Sequence, residues 1–481
     1  MFIHLFLNLK IVARSLFILA FALVFNAIIA IVYAESVLPL LISAGIVFLT
    51  AGILLLLPGK VNPEENLTKK DGGFIVSISW ILFSVFGALP YVFSGSVSSF
   101  TDAFFESVSG FTTTGASILT DIEVLPYSIL FWRSLTHWIG GIGIIVLVIV
   151  ILPVLNIGSY NLFTLESSVQ EKIQPKIKAV GMRLLYIYLL LTFAEVVFLL
   201  LGGMNLFESL CHSFGTVATG GFSPKNTSII GYSPYIQYVV MIFMLLAGVN
   251  FIIHYHILKW NFKKVKENDE FWFYLFVVFI IGMIVTFILY LKMDKGFEES
   301  FREAFFQVIS IITCTGFASA DYLLWPSIGW TIIFFIMFLG GSTGSTAGGI
   351  KMARHLVLFK NIKRFILLAR SPNAIVQLKL NGNVVSDENN RNILSFISIY
   401  LLVFIVSSIV LVALGLDGQT ASSSVATCMA GIGPGIGTVG PVSNFFHLSV
   451  AAKLILSFLM ILGRLEILTL LMLFIPGYWR N

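Results

Sequence analysis

Charge is scarce in this sequence. Of its 481 residues only 11% are Asp, Glu, Lys or Arg, while 58% are hydrophobic. A soluble globule carries roughly 25% charged residues, so the chain lacks the polar surface to be one. Cysteine is nearly missing as well. Cys211, Cys314 and Cys428 stand far apart with no C-x-x-C spacing, which removes the basis for a disulfide framework or a structural zinc site. None of the seven histidines belongs to an H-E-x-x-H pair, and no set of nucleophile, base and metal ligands supports an intramembrane enzyme. Strand-type alternation is absent, which argues against a barrel. The net charge of +5 falls in alternate loops, so the cations do not make a nucleic-acid patch.

The sequence is rich in apolar runs long enough to cross roughly 30 Å of hydrocarbon as helices, among them Val76–Phe93, Leu184–Leu201, Phe271–Leu291 and Ile393–Leu416. The first 35 residues resemble a signal peptide, with Lys10 and Arg14 ahead of an apolar stretch that ends in IVYAES. The run from Ser15 to Tyr33 is long for a signal h-region, so it reads as a retained spanning helix. Two helices, 9–33 and 36–57, lead to a basic loop with Lys60, Lys69 and Lys70. The same unit then follows four times: a spanning helix, a short amphipathic segment, a Thr/Gly-rich stretch and a returning helix. The expected divisions are 1–58 for the N-terminal pair and 72–155, 178–262, 270–370 and 390–476 for the four repeats. Lys172, Lys176, Lys178 and Arg183 crowd one set of loops, as do Lys259, Lys263, Lys264, Lys266 and the run from Lys351 to Arg391. That asymmetry places those loops inside. The opposite loops are acidic, with Asp102, Glu106, Glu208, Glu298, Glu299, Glu303, Asp321 and Asp417, and are expected to form a carboxylate ring that concentrates cations at a pore mouth.

Alignment on glycine sets DAFFESVSGFTTTG, ending at Gly115, beside EAFFQVISIITCTG, ending at Gly316; FESLCHSFGTVATG ends at Gly220 and TASSSVATCMAGIG at Gly433, with Gly431 as a rival position. A single Thr-Gly marks a helix cap or tight turn. Four copies spaced by about a hundred residues point instead to a ring, because irregular backbone at membrane depth is tolerated only where protein buries it or water lines it. Backbone carbonyls from such a ring can replace the water of a dehydrated cation. One glycine per segment supplies the backbone angles, and threonine hydroxyls tie the chain down or add oxygens. The short helices would turn their negative C-terminal ends toward the ion.

LGGSTGSTAGGIK, Leu339 to Lys351, interrupts the returning helix of the third repeat. It fails the phosphate-loop pattern because Ile350 separates Gly349 from Lys351 and Met352 follows, so no nucleotide is expected on this chain. Its Gly340, Gly341, Ser342, Gly344, Ser345, Gly348 and Gly349 form a polar flap that obstructs the path and must move, or else simply let helices pack closely. Arg464, deep in the last apolar helix, is expected to face the cavity near the flap, as a gating charge or as a tie to backbone carbonyls. Glu466, two positions on, points elsewhere. Glu195 is expected to hydrogen-bond a neighbouring helix, with proton coupling as the other reading. THWIGGIG, Thr136 to Gly143, reads as packing, and Arg133 and His137 show no ligand geometry.

Together TTTGAS, VATGGFS, TCTGF, GIGPGIG, RSLTHWIGGIG, GGSTGSTAGGIK and LGRLEI resemble the Trk/Ktr/HKT superfamily of potassium transporters, and the two extra N-terminal helices resemble its TrkH branch. The resemblance implies an all-α polytopic membrane protein with four M1-P-M2, potassium-channel-like repeats around a central pore. It implies a potassium filter at Thr113, Thr114 and Gly115, at Ala218, Thr219 and Gly220, at Cys314, Thr315 and Gly316, and at Gly431, Ile432 and Gly433. The flap with Lys351 and Arg464 would be the gate. The transported ion would be potassium, and the partners a second copy of the chain, membrane lipids and a cytosolic nucleotide-binding subunit of the TrkA type, in the bacterial cytoplasmic membrane. The expected function is gated potassium uptake, with an ion-coupled secondary transporter using Glu195 as the alternative.

Overall fold

The computed structural model describes residues 5–57, 69–146, 174–473 and 475. Lys60, Lys172 and the expected boundaries at 58, 155 and 476 lie outside the described residues. The fold is helical. Among the described residues its strands are one two-residue hairpin, Lys379–Leu380 paired with Asn383–Val384, and six helices are long and apolar enough to cross a membrane, or seven if one bent pair is a single span.

The N-terminal pair, Leu5–Val32 and Leu38–Leu56, packs against the first repeat through polar groups that an apolar helix could not leave unpaired. Asn8 donates to Asp71 at 2.6 Å, and Asn26 donates to the Ser128 carbonyl at 2.9 Å. At the far end Glu35 accepts the Tyr127 and Ser128 N–H groups, two donors that the start of a helix leaves without intrahelical partners.

Each repeat begins with a long helix: Lys69–Gly87, continued by Leu89–Phe93; Gln174–Leu201; Asp269–Lys292; and Asp387–Ala413. A short one follows: Phe100–Phe111, Leu206–Val217, Phe297–Ile312 and Gly418–Ala430, of 12, 12, 16 and 13 residues. At 1.5 Å per residue these reach about 18–24 Å, too short to span. Their C-terminal halves are almost wholly buried.

The returning helices carry glycine or a break at one level. Tyr127–Val146 contains Gly140 and Gly141. Pro234–Ala247 and Phe251–Leu258 are bent by 101° at Gly248–Asn250. Ser327–Ile336 gives way to the glycine-rich loop before Met352–Arg370, and Val450–Arg464 breaks before Ile467–Leu473, with Glu466 at a φ of 62°. Close approach explains the glycines: a Cβ on Gly140 would overlap the Phe111 carbonyl, and one on Gly463 the Met429 carbonyl.

Asp417 begins the fourth short helix and accepts the Gln419 and Thr420 N–H groups, both at 3.0 Å. Hydrogen bonds from Thr420 hold its carboxyl below the usual aspartate range. A depressed carboxyl stabilises the fold above its unfolded pKa, and the contribution is lost as pH falls through the folded value. Asp417→Ala is expected to cost about 1 kcal/mol near neutral pH. Asp417→Asn should keep the cap and remove its loss below about pH 4; thermal unfolding of detergent-solubilised protein across pH measures both.

Candidate functional site: a ring of four backbone turns

The short helices end alike. Thr113, Thr219, Cys314 and Gly431 turn left-handed, at φ of 54°, 53°, 56° and 74°, and two residues later Gly115, Gly221, Gly316 and Gly433 do so again, at 81°, 80°, 83° and 98°. Between them the N–H groups of Thr114, Gly220, Thr315 and Ile432 reach five residues back, to the carbonyls of Ser109, Gly215, Ser310 and Thr427, at 2.9, 2.7, 2.8 and 3.0 Å. This shared pattern sets the register without reference to side chains.

The register corrects the alignment in one segment. Gly221, not Gly220, matches Gly115, and Ala218 is the helix cap that corresponds to Thr112 and Thr313. In the fourth segment Gly433 holds the glycine position, and the rival Gly431 stands where Thr113, Thr219 and Cys314 stand. The doublet Gly220-Gly221 was the available signal; the Thr-Gly dipeptide in front of it drew the alignment one residue early.

The four turns meet and close. A Cβ placed on Gly115 would lie within 3.0 Å of the Gly220 carbonyl oxygen, one on Gly221 within that distance of the Thr315 oxygen, one on Gly316 of the Ile432 oxygen, and one on Gly433 of the Thr114 oxygen. The four acceptors are register equivalents, so each segment touches the next in chain order and the fourth returns to the first. Hydrogen bonds follow the same circuit. Arg133 donates to the Ser223 carbonyl at 3.1 Å, the Ile229 N–H to the Ala318 carbonyl at 3.0 Å, the Tyr322 hydroxyl to the Gly435 carbonyl at 2.5 Å, and the Phe445 N–H to the Ser117 carbonyl at 2.8 Å. Above the ring opens a cavity whose lining includes Gly115, Gly221, Gly316 and Gly433.

Behind each turn, seven residues before its left-handed residue, stand Glu106, His212, Gln307 and Ser424. Three of these brace the outgoing strand. Glu106 is fully buried and accepts the Ile118 N–H at 2.9 Å, the Ser117 hydroxyl at 3.0 Å and Arg133 Nε at 2.9 Å. His212 Nε2 meets the Ser223 hydroxyl at 3.0 Å, and Gln307 donates to the Ala320 carbonyl at 3.2 Å. In the fourth repeat the brace comes from Ser423, which donates to the Ile436 carbonyl and accepts the Ile436 N–H, both at 2.9 Å. Arg133, which the sequence reading set aside, therefore holds the strands of the first and second repeats together.

The expected carboxylate ring does not form. Glu106 pairs with Arg133, Asp102 with Lys453 at 2.6 Å, Glu303 with Lys295 at 2.6 Å, and Glu298 with Arg302 at 2.9 Å. Glu208 meets Lys225 at 3.5 Å, and Asp321 and Asp417 cap helices. The cavity lining contains no carboxylate but does include Arg133 and Lys225, both held by acids outside it. The cavity is lined by four backbone turns, each at the C-terminal end of a short helix.

The glycine-rich loop forms the floor. Leu339 and Ile350 bridge its ends. Thr346 donates its hydroxyl to the Val217 carbonyl at 3.0 Å, a Cβ on Gly348 would overlap the Ala430 carbonyl, and Gly349 lies against the Cys314 sulfur. The loop thus touches the ends of the second, third and fourth turn-bearing segments. Gly341 packs against the Gly248 carbonyl, Gly344 against Asn250, and Gly340 against the loop's own returning strand. Ser342 and Ser345 are buried, and the Ser345 hydroxyl donates to the Ser342 carbonyl. Lys351 Nζ donates to the Ala347 carbonyl. Arg464 donates to the Thr346 carbonyl at 2.9 Å and to the Gly140 carbonyl at 3.0 Å, so it is tied both to the loop and to the first repeat. Glu466 pairs with Arg354 at 2.7 Å, away from Arg464.

Glu195 faces the neighbouring short helix, where its expected partners lie. It is fully buried against Ser213 and Thr216. Those hydroxyls donate to the Thr192 and His212 carbonyls, each at 2.8 Å.

Known proteins resemble this chain over nearly its whole length. The profile of the TrkH family, described as a cation transport protein, matches residues 41–480. The chain is 36% identical over 480 residues to the Trk system potassium uptake protein TrkH of Escherichia coli K12, covering 98% of this chain and 99% of that one. It is 34% identical over 484 residues to the TrkH of Halomonas elongata, again covering 98% and 99%. The crystal structure of the potassium transporter TrkH from Vibrio parahaemolyticus superposes with a TM-score of 0.91 at 32% identity, covering 99% of this chain and all of that one.

Proposed function

This chain belongs to the TrkH family of cation transport proteins, and from that premise we propose that it takes up potassium across the cytoplasmic membrane through the ring of four turns. The observation that carries the proposal is the closure of the ring: four equivalent carbonyls, of Thr114, Gly220, Thr315 and Ile432, each set against the preceding segment's glycine. Oxygens so arranged can replace the hydration shell of a potassium ion, and the C-terminal ends of four helices favour its charge. With one glycine turn per segment, discrimination is modest, with potassium and rubidium favoured over sodium.

The filter comprises Thr113–Gly115, Thr219–Gly221, Cys314–Gly316 and Gly431–Gly433. The loop Leu339–Lys351 is the gate, and Arg464 its latch. The transport unit is a pair of such chains, with domain boundaries as the repeats suggest. A cytosolic TrkA-type subunit binds the regulatory nucleotide and acts on the basic inner loops. Rubidium flux into liposomes of purified chain, with cations exchanged one at a time, tests the assignment. Flux indifferent to cation identity would overturn it.

Arg464→Met gives the gate its own test. It removes two hydrogen bonds from a charged donor, each worth about 1.5–3 kcal/mol, so flux without the cytosolic subunit is expected to rise about tenfold or more. The buried carboxyl of Glu195, with no cation beside it among the described residues, favours a second reading, in which a proton accompanies potassium. A reversal potential that shifts with the proton gradient would support coupling, and one that ignores it would leave a channel.

A further inference from the structure

We infer that Glu270 is a positioning residue that staples both ends of the gating loop. The inference rests on the reading of Leu339–Lys351 as the gate and names the group that holds its base. Glu270 lies in the first turn of Asp269–Lys292 and is 1% exposed. One of its oxygens, Oε1, accepts the Thr343 N–H at 2.7 Å and the Ala353 N–H at 2.9 Å. Those two amides lie on opposite sides of the part of the loop that sits beneath the turns, so a single carboxylate oxygen joins the way in to the way out.

The carboxylate is committed to this task. Its neighbour Asp269 takes the cation Lys360 at 2.7 Å, while Oε2 of Glu270 has no partner. The two N–H groups are therefore its main compensation, together with the positive end of its own helix. Hydrogen bonds to a charged acceptor are about twice as strong as neutral ones, and here both act on one loop. Arg464 and Thr346 hold the tip; Glu270 holds the base. Opening requires the tip to leave Val217 and Arg464, and the staple sets how far the loop strays when it does. Without it, the segment from Thr343 to Ala353 loses its closed geometry even while Arg464 remains.

The test uses the full chain in liposomes, with Glu270→Ala, Glu270→Asp and Glu270→Gln beside Arg464→Met. Asp keeps the charge but withdraws the oxygen by one methylene; Gln keeps an acceptor where Oε1 stood. Amide exchange over 340–354 is expected to quicken by about tenfold or more in the Ala and Asp variants, with higher rubidium flux in the absence of the cytosolic subunit and an unchanged potassium-to-sodium ratio. The Gln variant, whose neutral acceptor makes bonds about half as strong, should fall between the parent and Ala. Parent-like exchange in both Ala and Asp, or a Gln variant as loose as Ala, overturns the staple. Faster exchange with flat flux in both Glu270→Ala and Arg464→Met overturns instead the assignment of the loop as gate.

Discussion

Gly221→Ala is expected to remove potassium-selective uptake, whereas Gly220→Ala should leave a defect that a second change can relieve. Gly221 sits at a φ of 80°, and its added Cβ would meet the Thr315 carbonyl. The left-handed backbone costs an alanine about 1–2 kcal/mol, and the carbonyl it displaces is one of the proposed ion ligands. No side-chain deletion can make room for it. Gly220 has no such backbone restriction, and its added Cβ would meet the ring of His137 at 2.5–2.7 Å. His137→Ala combined with Gly220→Ala should therefore recover part of the lost uptake, while His137→Ala combined with Gly221→Ala should recover none. Rubidium uptake in potassium-starved cells, with sodium permeability in liposomes, decides the matter. Equal rescue of the two would mean that the second segment is read in the wrong register.

Arg133→Met should be among the most destabilising single changes in the molecule. Arg133 and Glu106 are essentially buried. Removing one partner of a buried pair typically costs about 3–5 kcal/mol, because the other charge is left in a medium that cannot solvate it. Glu106→Gln with Arg133→Met removes both charges, and it should recover much of the loss seen in Arg133→Met. The double variant still lacks the Arg133 bond to the Ser223 carbonyl that joins the first two segments. We therefore expect near-parent thermal stability but weaker discrimination of potassium from sodium. A double variant as unstable as Arg133→Met would show that geometry rather than charge carries the interaction.

Much of the architecture was legible in the residues. The two N-terminal helices, expected at 9–33 and 36–57, span Leu5–Val32 and Leu38–Leu56. The break in the third returning helix falls on the glycine-rich run from Leu339 to Lys351. These features depend on how a continuous stretch of chain interacts with lipid or tolerates helix, and both are properties of neighbouring residues. The acidic loops misled for the opposite reason. Whether Asp102 is a free surface charge or the partner of Lys453 depends on a side chain 351 positions away.

From the sequence alone follow the apolar spans, the fourfold repetition and the places where helix must fail, since hydropathy and glycine content act locally. Which glycine backs onto which carbonyl, that Gly221 rather than Gly220 completes the ring, and that Arg464 and Glu270 hold the tip and the base of one loop are decided only by the packed structure. Those relations join residues 73 or more positions apart, and a shift of one residue leaves composition and periodicity unchanged while it moves every backbone oxygen to a new neighbour.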